Sequence, residues 1–185
     1  MAGFYLTFLA MLLSGLGARD QIAVAQLSLR QGARPAVLII GIAISCASAA
    51  LAAWAAMVVA PMLAPPARLF MAALALAFAG GESLLTRPRH KPKEPTLSLG
   101  ALGFVLLYHQ LTDAARFLVF AIAVATHAPI PAGLAGAFGG TVLLTEAWLA
   151  PQAVIHPRLR LLRRGVGAGL LLLALYVGLR ATGRI

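Results

Sequence analysis

Gly15-Leu16-Gly17-Ala18-Arg19-Asp20-Gln21 decides how this chain is read, because an arginine and an aspartate interrupt an apolar stretch over residues 3–28. A second segment, Gln110-Leu111-Thr112-Asp113-Ala114-Ala115-Arg116, does the same within residues 97–125. Each stretch is long enough to cross a bilayer, which takes about 20 mostly apolar residues. A charged side chain near the bilayer centre costs about 2.5–3.5 kcal/mol on insertion scales. Charges kept there pair with one another or line a polar path, so these segments are the first place to look for function.

The rest of the chain supports a membrane setting. It is 61% hydrophobic and 11% charged, with a mean hydropathy of +0.92. Five acidic residues cannot keep a soluble surface of this size hydrated, which leaves an integral membrane protein. The net charge of +10 would suggest nucleic acid in a soluble protein, but most of it falls in short breaks between apolar runs. We therefore expect the lipid bilayer as partner and no nucleic acid. Cys46 is the sole cysteine, which excludes an internal disulfide and a cysteine-cluster metal site. No Lys or Arg precedes the first apolar run and hydrophobicity resumes after Gln21, so a retained first span is expected rather than a cleaved leader.

Apolar runs predict spans at 3–28, 35–60, 67–86, 97–125, 129–155 and 161–181. With six spans, the segments after the first, third and fifth share one side. They hold Arg30, Arg34, Arg87, Arg89, Lys91, Lys93, Arg158, Arg160, Arg163 and Arg164, against Arg68, Arg180 and Arg184 opposite. The positive-inside rule then puts both termini on the non-cytoplasmic side. An odd number of spans per half makes residues 1–86 and 97–185, joined by a basic cytoplasmic loop at 87–96, candidate inverted repeats of one membrane domain. A shift of 95 positions supports this by aligning Leu12 with Leu107, Leu16 with Leu111, Gly41 with Gly136 and Arg68 with Arg163.

On an unbroken fourth helix, His109, Gln110 and Asp113 would share a face, with Arg116 three residues beyond Asp113. Such a set could ligate a cation or relay a proton. It could equally hold Asp113 and Arg116 as a structural pair. Arg19 and Asp20 diverge by about 100° on a helix, so each is expected to reach another helix, Asp20 toward Arg116 and Arg19 toward Asp113. Gly15 and Gly17 allow close helix approach or local unwinding. Glu146, inside the fifth span, must be protonated, paired or ligating. Glu82 lies near the end of the third span, where water is expected to reach it. Ser14 with His109 makes only a weak nucleophile–base pair. There is no His-Glu-x-x-His, Gly-x-Ser-x-Gly, phosphate-cradling loop or Cys-x-x-Cys, so no enzyme is expected.

Two three-helix halves, each with a polar motif in its first helix, resemble the family of Golgi manganese and calcium–proton exchangers and their bacterial relatives. Members carry Glu-x-Gly-Asp-Lys/Arg-Thr/Ser in the first helix of each half. Gly17 and Arg19 match the first motif, and Gln21 matches a glutamine that follows it in many members; Gly15, Ala18 and Asp20 depart from it. Asp113 matches the second motif, while Gln110, Thr112, Ala114 and Ala115 depart and Arg116 takes the place of the following glutamine. The resemblance implies an all-α protein of six transmembrane helices in two inverted repeats that exchanges manganese or calcium for protons. It makes Asp113 the principal metal ligand or proton carrier, Asp20 and Glu146 supporting acids, Gln110 a neutral ligand, and Arg19 and Arg116 charge-balancing gates. No cofactor is implied beyond the transported ion, and homo-oligomerisation is left open. A non-transporting membrane scaffold or partner subunit, and an exporter of small zwitterionic solutes, are the two alternatives.

Overall fold

In a computed structural model that describes residues 1–85 and 98–184, the described chain is helical throughout and holds no strand. The basic loop expected at 87–96 lies outside the described residues. In chain order the helices are α1 (Ala2–Gly15), α2 (Arg19–Gln31), α3 (Pro35–Val59), α4 (Pro65–Leu85), α5 (Leu99–Leu111), α6 (Ala114–Thr126), α7 (Pro129–Leu149), α8 (Pro151–Val154) and α9 (Pro157–Ala181), with a 3₁₀ turn at Ala60–Met62. Proline opens α3, α4, α7, α8 and α9, at the position where its missing N–H costs nothing.

Among the described residues four helices, α3, α4, α7 and α9, are long and apolar enough to cross a membrane. The pairs α1–α2 and α5–α6 are bent by 57° and 51°, and counting each as one broken span gives six. The two segments expected to run as single helices are therefore interrupted at the charged motifs. The first interruption rests on Gly17, whose φ of 71° lies in the left-handed region. A side chain there would meet only Leu159 at ordinary contact distance, so the requirement for glycine is set by the backbone, at about 1–2 kcal/mol for another residue. The second interruption has no glycine. Asp113 leaves the helix in extended backbone (φ −91°, ψ 149°) and caps α6, accepting a hydrogen bond from the Ala115 N–H.

Small residues bring the helices together, as they must where lipid on the outside removes most of the hydrophobic drive. Helix α4 packs on α9 and α6, and α3 packs on α7. A Cβ at Gly80 would lie 2.8 Å from the Gly167 carbonyl oxygen, and one at Gly167 would lie 2.9 Å from that of Gly80. Backbone thus meets backbone between α4 and α9. The outer faces carry Leu51, Trp54, Phe78, Leu172, Leu175 and Tyr176, all exposed, as a lipid-facing surface requires. Helix α2 is the exception in composition: it is polar, yet Gln21, Val24, Ala25, Gln26 and Leu27 are buried, enclosed by α5, α7 and α8.

Candidate functional site

Both helix breaks open toward the same interior, and six charged side chains gather there. Arg19 and Asp20 come from the first turn of α2, Asp113 and Arg116 from the start of α6, Glu82 from α4 and Arg163 from α9. Three acids meet three arginines.

Four of the six form a ladder of alternating charge. Arg19 Nη2 donates to the Thr112 carbonyl at 2.8 Å and to its Oγ1 at 2.9 Å, and Arg19 Nε lies 3.4 Å from Glu82 Oε1. Glu82 Oε2 accepts from Arg163 Nη2 and from the Ala114 N–H at 3.3 Å. Arg163 Nη2 also donates to Asp113 Oδ1 at 2.7 Å. The carboxylates of Glu82 and Asp113 therefore both sit at the N-terminus of α6, where its unpaired N–H groups favour negative charge.

The remaining two charges are linked through neutral side chains. Asp20 accepts from the Gln21 N–H at 2.8 Å and from Gln110 Nε2 at 3.0 Å. Gln110 Oε1 accepts from Ser48 Oγ at 2.9 Å, and Ser48 Oγ accepts from Arg116 Nε at 2.9 Å. Arg116 Nη2 donates to Ser45 Oγ at 2.9 Å, and a side chain at Gly140 would displace that hydroxyl. Beside this chain, Gln21 accepts from the Gly17 N–H at 2.7 Å and donates to Glu146 Oε2 at 3.3 Å. A cavity of about 10 Å³ is lined by Asp20, Gln110, Asp113 and Arg116, enough for about one water. Arg116 also reaches the floor of an apolar cleft of about 360 Å³ between α3, α4 and α6.

Several expected pairings are not made. Asp20 and Arg116 do not touch, because Gln110 and Ser48 stand between them. Arg19 turns to Thr112 and Glu82 instead of Asp113. Asp113 does not pair with Arg116, and His109, Gln110 and Asp113 do not share a helical face. The reason is common to both: the helix stops at Leu111, so spacings of three and four residues do not hold across the break. His109 is half-buried on α5, and its Nδ1 has no hydrogen-bond partner among the described residues. Ser14 donates to the Ala10 carbonyl within its own helix, so it forms no pair with His109. Among the described residues, Glu146 is joined to the cluster through Gln21. Gly15 faces Leu143 of α7.

Sequence position alone puts two members of the ladder elsewhere. Glu82, expected in reach of water, has a side chain only 8% exposed. Arg163, expected among the cytoplasmic loop charges, lies inside α9 and is 3% exposed. Gly80 and Gly167 are what places them there, and nothing in the sequence marks these two glycines as a facing pair. They let α4 and α9 approach closely enough for the two side chains to meet.

Among the described residues no group of three or more His, Cys, Asp or Glu side chains is placed to hold a metal ion. Asp113, the expected metal ligand, has one oxygen on Arg163 and the other on backbone N–H. The chain matches no family model, no curated protein and no solved structure.

Proposed function

We propose that this protein is a small secondary transporter for a zwitterionic solute, and that the charge cluster at the two helix breaks is its binding site. The observation that carries the reading is the ladder Arg19–Glu82–Arg163–Asp113, a buried set with no net charge, built at the ends of two half-helices. Broken helices whose ends face the membrane interior are a recurring way for transporters to expose backbone groups and charges to a solute. A zwitterion suits this set for an electrostatic reason. Removing one partner from a buried pair costs about 3–5 kcal/mol, because a charge is left uncompensated. A solute carrying ammonium and carboxylate replaces an internal pair one for one: its ammonium takes Asp113 or Glu82 while its carboxylate takes the released arginine. A divalent cation would leave Arg163 without partners.

The helix order supports two inverted repeats over residues 1–86 and 97–185. Each half has a bent pair, then a proline-led helix, then a second long helix. The α2 and α6 caps, Ala18 and Asp113, differ by the 95 positions that align the halves. On this plan the arginine-rich breaks face the cytoplasm of a bacterial inner membrane and both termini lie opposite. The central cavity admits no solute, so access must come by movement at the breaks, alternating between the two sides. Manganese or calcium exchange against protons, the activity of the family this chain resembles, is the competing reading. It rests on Gly17, Arg19 and Asp113.

Binding to purified protein in a gluconate buffer tests the substrate class. An α-amino acid at saturation is expected to raise Tm by several degrees, since a ligand at 100 times its Kd stabilises by about 2.7 kcal/mol. The matching amine and the matching carboxylic acid, each with half of the charge pair, are expected to give no shift. Stabilisation by manganese or calcium with none by any amino acid would reject the zwitterion reading.

A further inference from the structure

Arg163 serves the ladder with one nitrogen only. Its Nη2 donates to Glu82 and Asp113, while Nε and Nη1 are buried without a hydrogen-bond partner among the described residues. Ser83, one residue after Glu82, is 2% exposed and its Oγ is likewise unpartnered. Both side chains line one small pocket between α4, α8 and the start of α9. A buried donor left without an acceptor costs about 1–3 kcal/mol, more when charged, so these orphaned groups call for an occupant.

The pocket's other walls identify the charge of that occupant. Arg164 lines it together with Arg163, as does His156, and no carboxylate is among its described lining residues. The first turn of α9, a helix of 25 residues, forms part of the same wall, and its dipole adds positive potential there. The volume is about 20 Å³, room for one or two water-sized particles and too little for a phosphate or an organic acid.

We infer that the pocket bounded by Ser83, Arg163 and Arg164 binds a single small inorganic anion of halide size, with Ser83 Oγ and the free guanidinium nitrogens of Arg163 as its donors. Asp113 is not among the residues that line the pocket, so its occupancy does not require the solute reading. A bound halide would hold Arg163 in place from behind, and so steady the ladder at the opposite edge of the same guanidinium.

The test is thermal unfolding of the full chain in detergent, titrating sodium chloride against sodium gluconate at constant ionic strength. Chloride is expected to raise Tm in a saturable way, while gluconate, too large for the pocket, does not. Ser83→Ala removes a hydrogen bond to a charge and is expected to raise the half-saturating chloride concentration about tenfold. Arg164→Gln, at an exposed position that does not threaten the fold, is expected to weaken chloride in the same direction. Equal shifts with chloride and gluconate, or an unchanged chloride midpoint in both variants, would overturn the assignment and leave the pocket to water.

Discussion

Arg163→Leu is expected to be the most damaging single substitution in the chain. Two carboxylates depend on this guanidinium, Glu82 and Asp113, and both are buried. Breaking a buried pair costs about 3–5 kcal/mol. For a domain of this size, each kcal/mol shifts Tm by roughly 2–4 °C, so a fall of about 10 °C or loss of monodisperse protein is expected. Arg158→Leu, in the same helix and exposed but outside the anion pocket, is the matched control and is expected to stay near wild type. Arg163→Lys keeps the charge but ends in a shorter chain that does not place its ammonium where Nη2 meets both acids, and is expected to fall between the two. The triple change Arg163→Leu, Glu82→Gln, Asp113→Asn removes the stranded charges and is expected to recover much of the lost stability. Thermal unfolding and gel-filtration profiles in one detergent measure all four. A wild-type profile for Arg163→Leu would mean that the ladder does not hold the bundle.

The second large effect is expected at the contact that makes the ladder possible. At Gly167 a Cβ would lie 2.9 Å from both the Gly80 carbonyl oxygen and Ser83 Cβ. The carbonyl is backbone and cannot rotate away, so Gly167→Val must push α4 and α9 apart. Overpacking in a well-filled core costs about 1–3 kcal/mol where side chains can adjust; here they cannot, and separation also pulls Glu82 from Arg163. We expect a loss of at least about 3 kcal/mol, with Gly80→Val similar. The same helix supplies its own controls. A Cβ added at Gly165 or Gly169 would have no neighbour within 4 Å, so valine at either is expected to be neutral. Tm differences across the four variants check the prediction.

The spans were legible in the sequence because lipid imposes length and apolarity directly. The predicted 35–60, 67–86 and 129–155 correspond to Pro35–Val59, Pro65–Leu85 and Pro129–Leu149 followed by α8. Proline punctuation marks the helix starts. The breaks in the first and fourth spans are half-visible. Gly15 and Gly17 signal local unwinding, but helical spacing is the wrong guide at Thr112-Asp113, where the chemistry is that of a cap. That single difference accounts for the unmet pairings of Asp113 with His109 and Arg116.

Arg163 and Glu82 are hidden for a different reason. Hydropathy places a charge near a span's end in water by default. Whether it turns inward depends on how closely two distant helices approach. In a chain with 18 glycines, nothing singles out Gly80 and Gly167 as a facing pair. The other arginines in that segment, Arg158, Arg160 and Arg164, are exposed.

If the ladder carries a zwitterion across the membrane, solute flux into proteoliposomes reads that transport directly. Wild-type protein would face radiolabelled neutral amino acids outside, in vesicles that also hold a metal indicator and a pH dye. We predict saturable amino-acid entry that is lost in Asp113→Asn, with no entry of manganese or calcium. Metal entry coupled to proton exit, with no amino-acid flux, would contradict the claim and restore the cation exchanger.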